Sequence, residues 1–141
     1  MSTAATTKAI SHISVVTVQV KDQDEALRFY TERLGFKKRN DAPMGEGMRW
    51  TTVAPAGSPT EILLATGYDA SAPDGGNAGA PLGANTGLIL ETDDIDAAYR
   101  ELSGRGVHFT KQPSKEFFGG WAEFVDQDGN GFGLHSNQVS A

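Results

Sequence analysis

The strongest constraint on the fold is that the chain repeats itself at an offset of 72 residues. The run VKDQDEALRFYTERLGF starts at Val20, and the run TDDIDAAYRELSGRGV starts at Thr92. Each has an acidic start, apolar residues three or four positions apart and a glycine at its end, which is typical of a capped amphipathic helix. A repeated unit predicts one core built from two copies, not two independent domains.

Strand-like runs flank both predicted helices. SVVTVQV (14–20) precedes the first helix and GLILET (87–92) precedes the second. After the helices, MRWTTVAPAGSPTEILLA and GGWAEFVDQDGNGFGLHS each read as strand, turn and strand. Each half is therefore predicted to be a β-α-β-β-β module of the α+β class, with module one at about 10–67 and module two at about 86–136.

A connector rich in Gly, Ala and Pro, residues 68–85, joins the two modules within one predicted domain, 1–141. It is too long for a simple turn, so we interpret it as a mobile flap or an arm that contacts a second subunit.

Composition excludes several classes of function. The net charge is −6 and no Lys/Arg cluster occurs, so we expect no nucleic-acid partner and no binding to anionic membranes. The absence of cysteine excludes disulfides, thiolate nucleophiles and thiolate metal sites. The N-terminal run MSTAATTKAI has no long apolar core, which predicts a cytoplasmic protein without a signal peptide or membrane anchor.

Two motifs resemble the vicinal oxygen chelate superfamily, which includes glyoxalase I, extradiol dioxygenases, fosfomycin-modifying enzymes and bleomycin-resistance proteins. VKDQDEALRFYTERLGF is similar to the first helix of that family. FVDQDGNGFGLHS is similar to its closing hairpin, D-P-D-G-N, with Gln127 in place of the proline. The resemblance covers nearly the whole chain. It implies that the two modules form a concave, U-shaped mixed sheet and that the protein is a homodimer.

The resemblance also implies where a metal would be held. Metal-dependent members use one ligand from the first strand of each module and a glutamate from the last strand. These positions are Val15 and Glu61 in module one, and Gly87 and Gly133 in module two. The offset of 72 pairs the same positions. Since only Glu61 has a donor side chain and a catalytic zinc typically keeps three protein ligands, we expect no metal and no other cofactor.

His135 is a second candidate, because strand alternation places it on the same face as Gly133. Glu61 and His135 could then converge in one cavity, and one interpretation is an acid–base pair that works near neutral pH. One alternative is a divalent metal held by an irregular set, His12, Glu61 and His135. Another is that His135 faces solvent while Glu61 pairs with Arg49 across a hairpin.

Aromatic residues complete the predicted site. Trp50 and Trp121 each lie on the first strand of a hairpin, and alternation under the repeat predicts that only one of them lines the cavity. The FFGGW run at 117–121 is interpreted either as a lid or as a tight turn that needs a positive φ. The predicted ligand-binding residues are Trp50, Glu61, Phe118, Trp121 and His135.

The sequence therefore favours a binder of a small organic molecule that lacks the usual metal centre, in the manner that the resemblance to drug-sequestering resistance proteins implies. The alternative is an enzyme. It would be a glyoxalase-like lyase or isomerase or a dioxygenase with irregular metal ligands, or a metal-free catalyst using Glu61 and His135. A regulatory or scaffolding domain is the third hypothesis.

Overall fold

A computed structural model describes residues 8–45, 48–66 and 80–137 of the chain. The first module contains β1 (Val15–Gln19), α1 (Gln23–Arg28), β2 (Lys37–Gly45), β3 (Met48–Ala54) and β4 (Glu61–Ala65). The second contains β5 (Asn85–Glu91), α2 (Ile95–Gly104), β6 (His108–Glu116), β7 (Gly119–Val125) and β8 (Gly131–Ser136). A π-helical turn, Phe29–Arg33, continues α1. Most of the predicted connector lies outside the described residues, so its interpretation stays a prediction.

Each module forms one four-stranded mixed sheet, in the order β1-β4-β3-β2 and β5-β8-β7-β6. The first strand of each module runs parallel to the last. The helix crosses from the first strand to the second at the opposite edge of the sheet, and two antiparallel hairpins then bring the last strand back beside the first. The remaining neighbours are antiparallel. The predicted β-α-β-β-β pattern and the α+β class are confirmed in both halves.

A single hydrophobic core serves both modules, as the repeat predicts. Strand alternation sends one face of each sheet inward; in β7, for example, Ala122 and Phe124 are buried while Trp121 and Glu123 are only partly covered. The core is formed by Val18, Tyr30, Val53, Ile62, Leu64, Ile95, Phe124, Phe132 and Leu134, among other residues. The opposite face of each sheet, called the outward face below, is left for other contacts.

Both helices begin at the predicted caps. The carboxylate of Asp22 accepts the N–H of Glu25 at 3.0 Å, and that of Asp94 accepts the N–H of Ala97 at 3.0 Å. None of the described helices is long and apolar enough to cross a membrane.

Two arginines join the C-terminal ends of the helical segments in a reciprocal contact. Arg33 Nη1 donates to the carbonyls of Arg105 at 3.2 Å and Gly106 at 3.3 Å. Arg105 Nη1 donates in return to the carbonyl of Arg33 at 3.2 Å. Each guanidinium thus meets the partial negative charge of the other helix end. Arg33 and Arg105 are 72 residues apart, so they occupy equivalent positions in the repeat. Their reciprocal contact is the kind that an approximate twofold axis between the modules would produce.

The closing hairpin of module two fastens it to module one through the buried carboxylate of Asp126. Asp126 Oδ1 accepts the N–H groups of Asp128 at 2.9 Å and Asn130 at 3.0 Å. Its Oδ2 accepts the hydroxyl of Tyr30 at 2.6 Å and the Asn130 amide at 2.8 Å. That amide also donates to the carbonyl of Gln19 at 2.8 Å. The D-x-D-G-N motif therefore provides a second, buried polar contact between the modules.

Tyr30 is suited to its role as a donor. Its ring is fully buried against Phe132, with ring centroids 6.2 Å apart. Burial and then the negative charge of Asp126 raise the pKa of the Tyr30 phenol well above its usual value. The phenol consequently stays protonated and donates to the carboxylate at neutral pH.

Replacing Tyr30 by Phe should destabilise the fold by about 1.5–3 kcal/mol, because the change removes one hydrogen bond to a buried charged group and keeps the ring. The free energy of unfolding from urea titrations followed by circular dichroism measures this effect.

Tyr99→Phe is the matched control. The Tyr99 ring packs against Phe109 at a centroid distance of 4.8 Å, and its hydroxyl makes no hydrogen bond within the described ranges. We expect this substitution to change stability by less than about 0.5 kcal/mol. Equal effects of the two substitutions would contradict the role given to Asp126.

Candidate functional site

Module one places Glu61 at the start of β4, on the outward face and directly opposite Val15 of β1. Its carboxylate accepts the Asn40 amide at 3.2 Å and lies 3.6 Å from the guanidinium of Arg39. Arg39 also donates to the carbonyls of Pro55 and Ser58, which holds it beside the β3–β4 turn. Glu61 is therefore a half-exposed carboxylate with partners on β2.

Arg49, the partner considered for Glu61 from the sequence, binds other carboxylates. Its guanidinium makes two bonds to Asp41, at 3.0 and 2.8 Å, and one to Asp24 at 2.8 Å. The bonds from Arg49 lower the pKa of Asp41 below its usual range. The Glu61–Arg49 alternative is thus wrong.

In module two, the indole of Trp121 covers Gly133. A side chain at Gly133 would overlap the six-membered ring of that indole, so only glycine leaves room for it. Trp121 Nε1 donates to Glu123 Oε2 at 2.8 Å and thereby fixes the ring along its own strand. The indole occupies the place where the resemblance puts a glutamate ligand.

A bulge changes the other inferred position of module two. The β5–β8 register shifts between Asn85 and Ile89, so that Ile89 stands opposite Gly133. The offset of 72 predicted Gly87 there. Gly87 instead has a φ of 75°, which its lack of a side chain allows. Ile89, which is exposed, has no donor atom in its side chain either.

These residues do not fit the metal centre that the resemblance implies. Val15, Gly87, Ile89 and Gly133 have no donor in their side chains, and Glu61 is already bonded to protein groups. Within the described ranges, no three His, Asp or Glu side chains lie close enough together to hold a metal ion. The irregular set His12, Glu61 and His135 is accordingly not assembled within this chain.

His135, on β8, has an acceptor at each ring nitrogen. Nδ1 lies 2.7 Å from Glu91 Oε1, and Nε2 lies 2.8 Å from the carbonyl oxygen of Phe118. The Phe118 carbonyl and then the Glu91 carboxylate raise the pKa of His135 above its ordinary value. The doubly protonated ring satisfies both acceptors, whereas a neutral ring satisfies only one. The expected Glu61–His135 pair is not formed in this chain, because each side chain is bonded to neighbours in its own module.

The FFGGW run forms a tight hairpin. Phe117 and Phe118 are its two turn residues, since Glu116 pairs with Gly119 across the ladder. Gly119 has a φ of 121°, and a side chain there would overlap the Ser136 carbonyl oxygen. The tight-turn interpretation therefore describes this segment.

An aromatic row extends from the hairpin onto the outward face of module two; its members are Phe117, Phe118, Trp121 and His135. Ring centroids are 5.0 Å apart for Phe117 and Phe118, and 5.7 Å apart for Phe118 and Trp121. Phe118 also stacks on the His135 imidazole at 6.0 Å and 28°. Phe117 is 99% exposed and Phe118 is 43% exposed, so the row presents apolar surface to solvent.

Both tryptophans line cavities on outward faces, although alternation predicted only one. Trp121 borders a cavity of about 190 Å³ and Trp50 borders one of about 130 Å³. The reason is a difference in hairpin register. Thr52 stands opposite Leu63 in module one, whereas Trp121 stands opposite His135, the equivalent of Leu63, in module two. The offset of 72 ignores this difference in register, so it placed one of the two tryptophans on the wrong face of its sheet.

Sequence reasoning missed Glu91 and Glu123. Glu123 lies two residues after Trp121 on the same strand, so strand alternation alone would have placed it beside the indole. Glu91 meets His135 only through the β5–β8 register, which depends on the bulge. No local signal in the sequence indicates that contact.

The His135 imidazole should titrate above its ordinary pKa of about 6.5, because both of its neighbours favour the cation. Because the pKa of His135 is higher in the folded state than in the unfolded state, protonated His135 stabilises the fold. This contribution is fully present below about pH 6.5 and is lost as the pH rises through the folded-state pKa. Proton NMR of the ring hydrogens across pH 5–9 measures the midpoint.

Glu91→Gln is the informative variant, because it removes the carboxylate charge and keeps a hydrogen-bonding side chain. We expect it to lower the His135 midpoint. A wild-type midpoint at or below 6.5, or an unchanged midpoint in the variant, would disprove the assignment.

Comparison with known proteins places this geometry in a family. Residues 9–134 match the model of the Glyoxalase/Bleomycin resistance protein/Dioxygenase superfamily. The chain is 38% identical over 124 residues to the uncharacterized protein YurT of Bacillus subtilis (strain 168), covering 84% of this chain and 93% of YurT.

Two solved structures are similar to this chain in both fold and sequence. TnmS3, an antibiotic binding protein from Streptomyces sp. CB03234, is 38% identical, with a TM-score of 0.76 over 95% of this chain and 100% of that one. A superfamily member from Sphaerobacter thermophilus DSM 20745 is 39% identical, with a TM-score of 0.76 over 90% and 98% of the two chains. The chain belongs to the glyoxalase/bleomycin resistance protein/dioxygenase superfamily.

Proposed function

We propose that this protein binds a small, flat organic molecule on the outward faces of its sheets and does so without a metal. The observation that carries the proposal is the indole of Trp121 lying over Gly133. A position that would have to supply an oxygen ligand in a metal-dependent relative instead supplies an aromatic surface.

The side chains around this position suit stacking. The aromatic row presents exposed ring surface, and aromatic side chains contribute large contact areas at a small cost in conformational entropy. Trp50 offers a second exposed ring on the outward face of module one. Aromatic pairs add about 0.5–1.5 kcal/mol beyond the burial of their area. A flat ligand would extend the row by one further ring.

Similarity to TnmS3 supports the same conclusion. That protein is an antibiotic binding protein and matches this chain over nearly the whole length of both. The shared fold alone would not indicate a function, since this superfamily is named for enzymes as well as resistance proteins.

The family resemblance implies a homodimer, and in this proposal a second copy completes the site. The two cavities measure about 190 and 130 Å³, whereas sites for drug-sized ligands typically measure about 300–1,000 Å³. An outward face from a second copy would enlarge either cavity to a size that encloses such a ligand.

The hydrogen bonding of Glu61 and His135 favours binding over proton transfer. Both nitrogens of His135 are directed at protein acceptors, and the Glu61 carboxylate contacts Asn40 and Arg39. A general base needs an atom that can reach the substrate proton. These contacts engage the atoms that an acid–base pair would use.

Gly133→Ala should weaken the binding of flat aromatic compounds about tenfold, because the added methyl group displaces the indole from the β8 backbone. The chain has two tryptophans, so a Trp50→Phe background leaves Trp121 as the fluorescent reporter. Titration with acridine and anthraquinone compounds, followed by quenching of that fluorescence, gives the dissociation constants.

Gly104→Ala, in α2 and outside the lining of this cavity, is the control. A methyl group there would have open space around it. We expect its affinity to stay close to that of the parent. Equal losses in the two variants, or no quenching by any compound, would overturn the proposal.

A further inference from the structure

The cavity of module two has an unusual construction for its size. Three glycines line it, namely Gly87, Gly131 and Gly133. Gly133 is buried beneath the indole, whereas Gly87 and Gly131 present backbone that is at least partly exposed to a ligand. The indole of Trp121 borders the same cavity. A flat ring fits such a space better than a branched aliphatic group, because no side chain projects from Gly87 or Gly131.

Glu123 is the one charged side chain among the described residues that line this cavity. Its Oε2 accepts Trp121 Nε1 at 2.8 Å, which leaves Oε1 without a hydrogen bond to the described residues. The carboxylate is thus held in a fixed place by the aromatic wall and presents one unused acceptor beside it.

Lys111 is the cation that could neutralise Glu123. It stands opposite Glu123 in the β6–β7 ladder, but its side chain is exposed. No salt bridge joins the two within the ranges that the structure describes. The negative charge of Glu123 is consequently available to a ligand.

We infer that Glu123 is a specificity-determining residue that selects flat aromatic ligands bearing a cationic or hydrogen-donating nitrogen at their edge. This inference rests on the proposed function and names the ligand class for the same site. The indole supplies stacking for any flat ring. The carboxylate adds a charge-assisted hydrogen bond only for ligands that carry the donor. Ligands with a carboxylate at that edge are repelled.

Two probes of similar shape and different charge test this inference. At pH 8, 9-aminoacridine is a cation, whereas acridine is neutral and lacks the amino group. We expect the wild type to bind 9-aminoacridine at least about tenfold more tightly than acridine. The Glu123→Gln variant should bind both about equally, because its amide oxygen still accepts Trp121 Nε1 but carries no charge.

A control variant separates local from general electrostatics. Glu101→Gln removes the same charge from α2, where Glu101 is 65% exposed and pairs with Arg105. The preference for 9-aminoacridine should be unchanged in this variant. A loss of preference as large as in Glu123→Gln would assign the effect to the net charge of −6 and overturn the inference.

The remaining outcomes distinguish the two proposals. If both probes bind the wild type with equal affinity, Glu123 does not select ligands, while binding at the aromatic surface stands. If neither probe binds, both proposals fail. The circular dichroism spectrum and the urea unfolding midpoint of Glu123→Gln, which should both match the wild type, guard against a folding defect in that variant.

Discussion

The buried carboxylate of Asp126 is the interaction on which the rest of the structure depends. It collects four hydrogen bonds, and one of them comes from Tyr30 in the other module. A buried carboxylate without these donors would be costly, so the turn, the helical segment and β1 hold one another in place. The reciprocal contact of Arg33 and Arg105 repeats this coupling at the helix ends. Because the modules are joined through their inner faces, their outward faces can contact a ligand or a partner.

Small differences in register between two similar modules determine the chemistry of these faces. The modules share strand order and helix caps, yet the hairpin of module two pairs Trp121 with the strand position that Thr52 faces in module one. A one-residue change in register moves a side chain to the other face of a sheet, so such shifts decide what lines a cavity. Trp121 then needs Gly133 beneath it. The two halves of the repeat therefore differ at this position, and the aromatic row lies in module two.

Much of the fold was predictable from local pattern. The offset of 72, the aspartates at the helix starts and the glycine turns are short-range signals, and all appear in the structure. The site was less predictable because its contacts join distant strands. The bulge that puts Ile89 opposite Gly133 contains Gly87, and a glycine in a strand suggests a bulge without fixing the register that follows it. The partners of Glu61 and His135 likewise depend on ladder register. The sequence therefore identified several residues of the outward faces, but it did not predict which of them contact one another.

We propose that an aromatic surface in this chain stands where metal-dependent relatives have a chelating site. The most direct measurement is the metal content of protein purified without chelators, by inductively coupled plasma mass spectrometry. We expect far less than one equivalent of any transition metal per chain, and the same content in Glu61→Ala. One equivalent of bound metal that disappears in Glu61→Ala would contradict it.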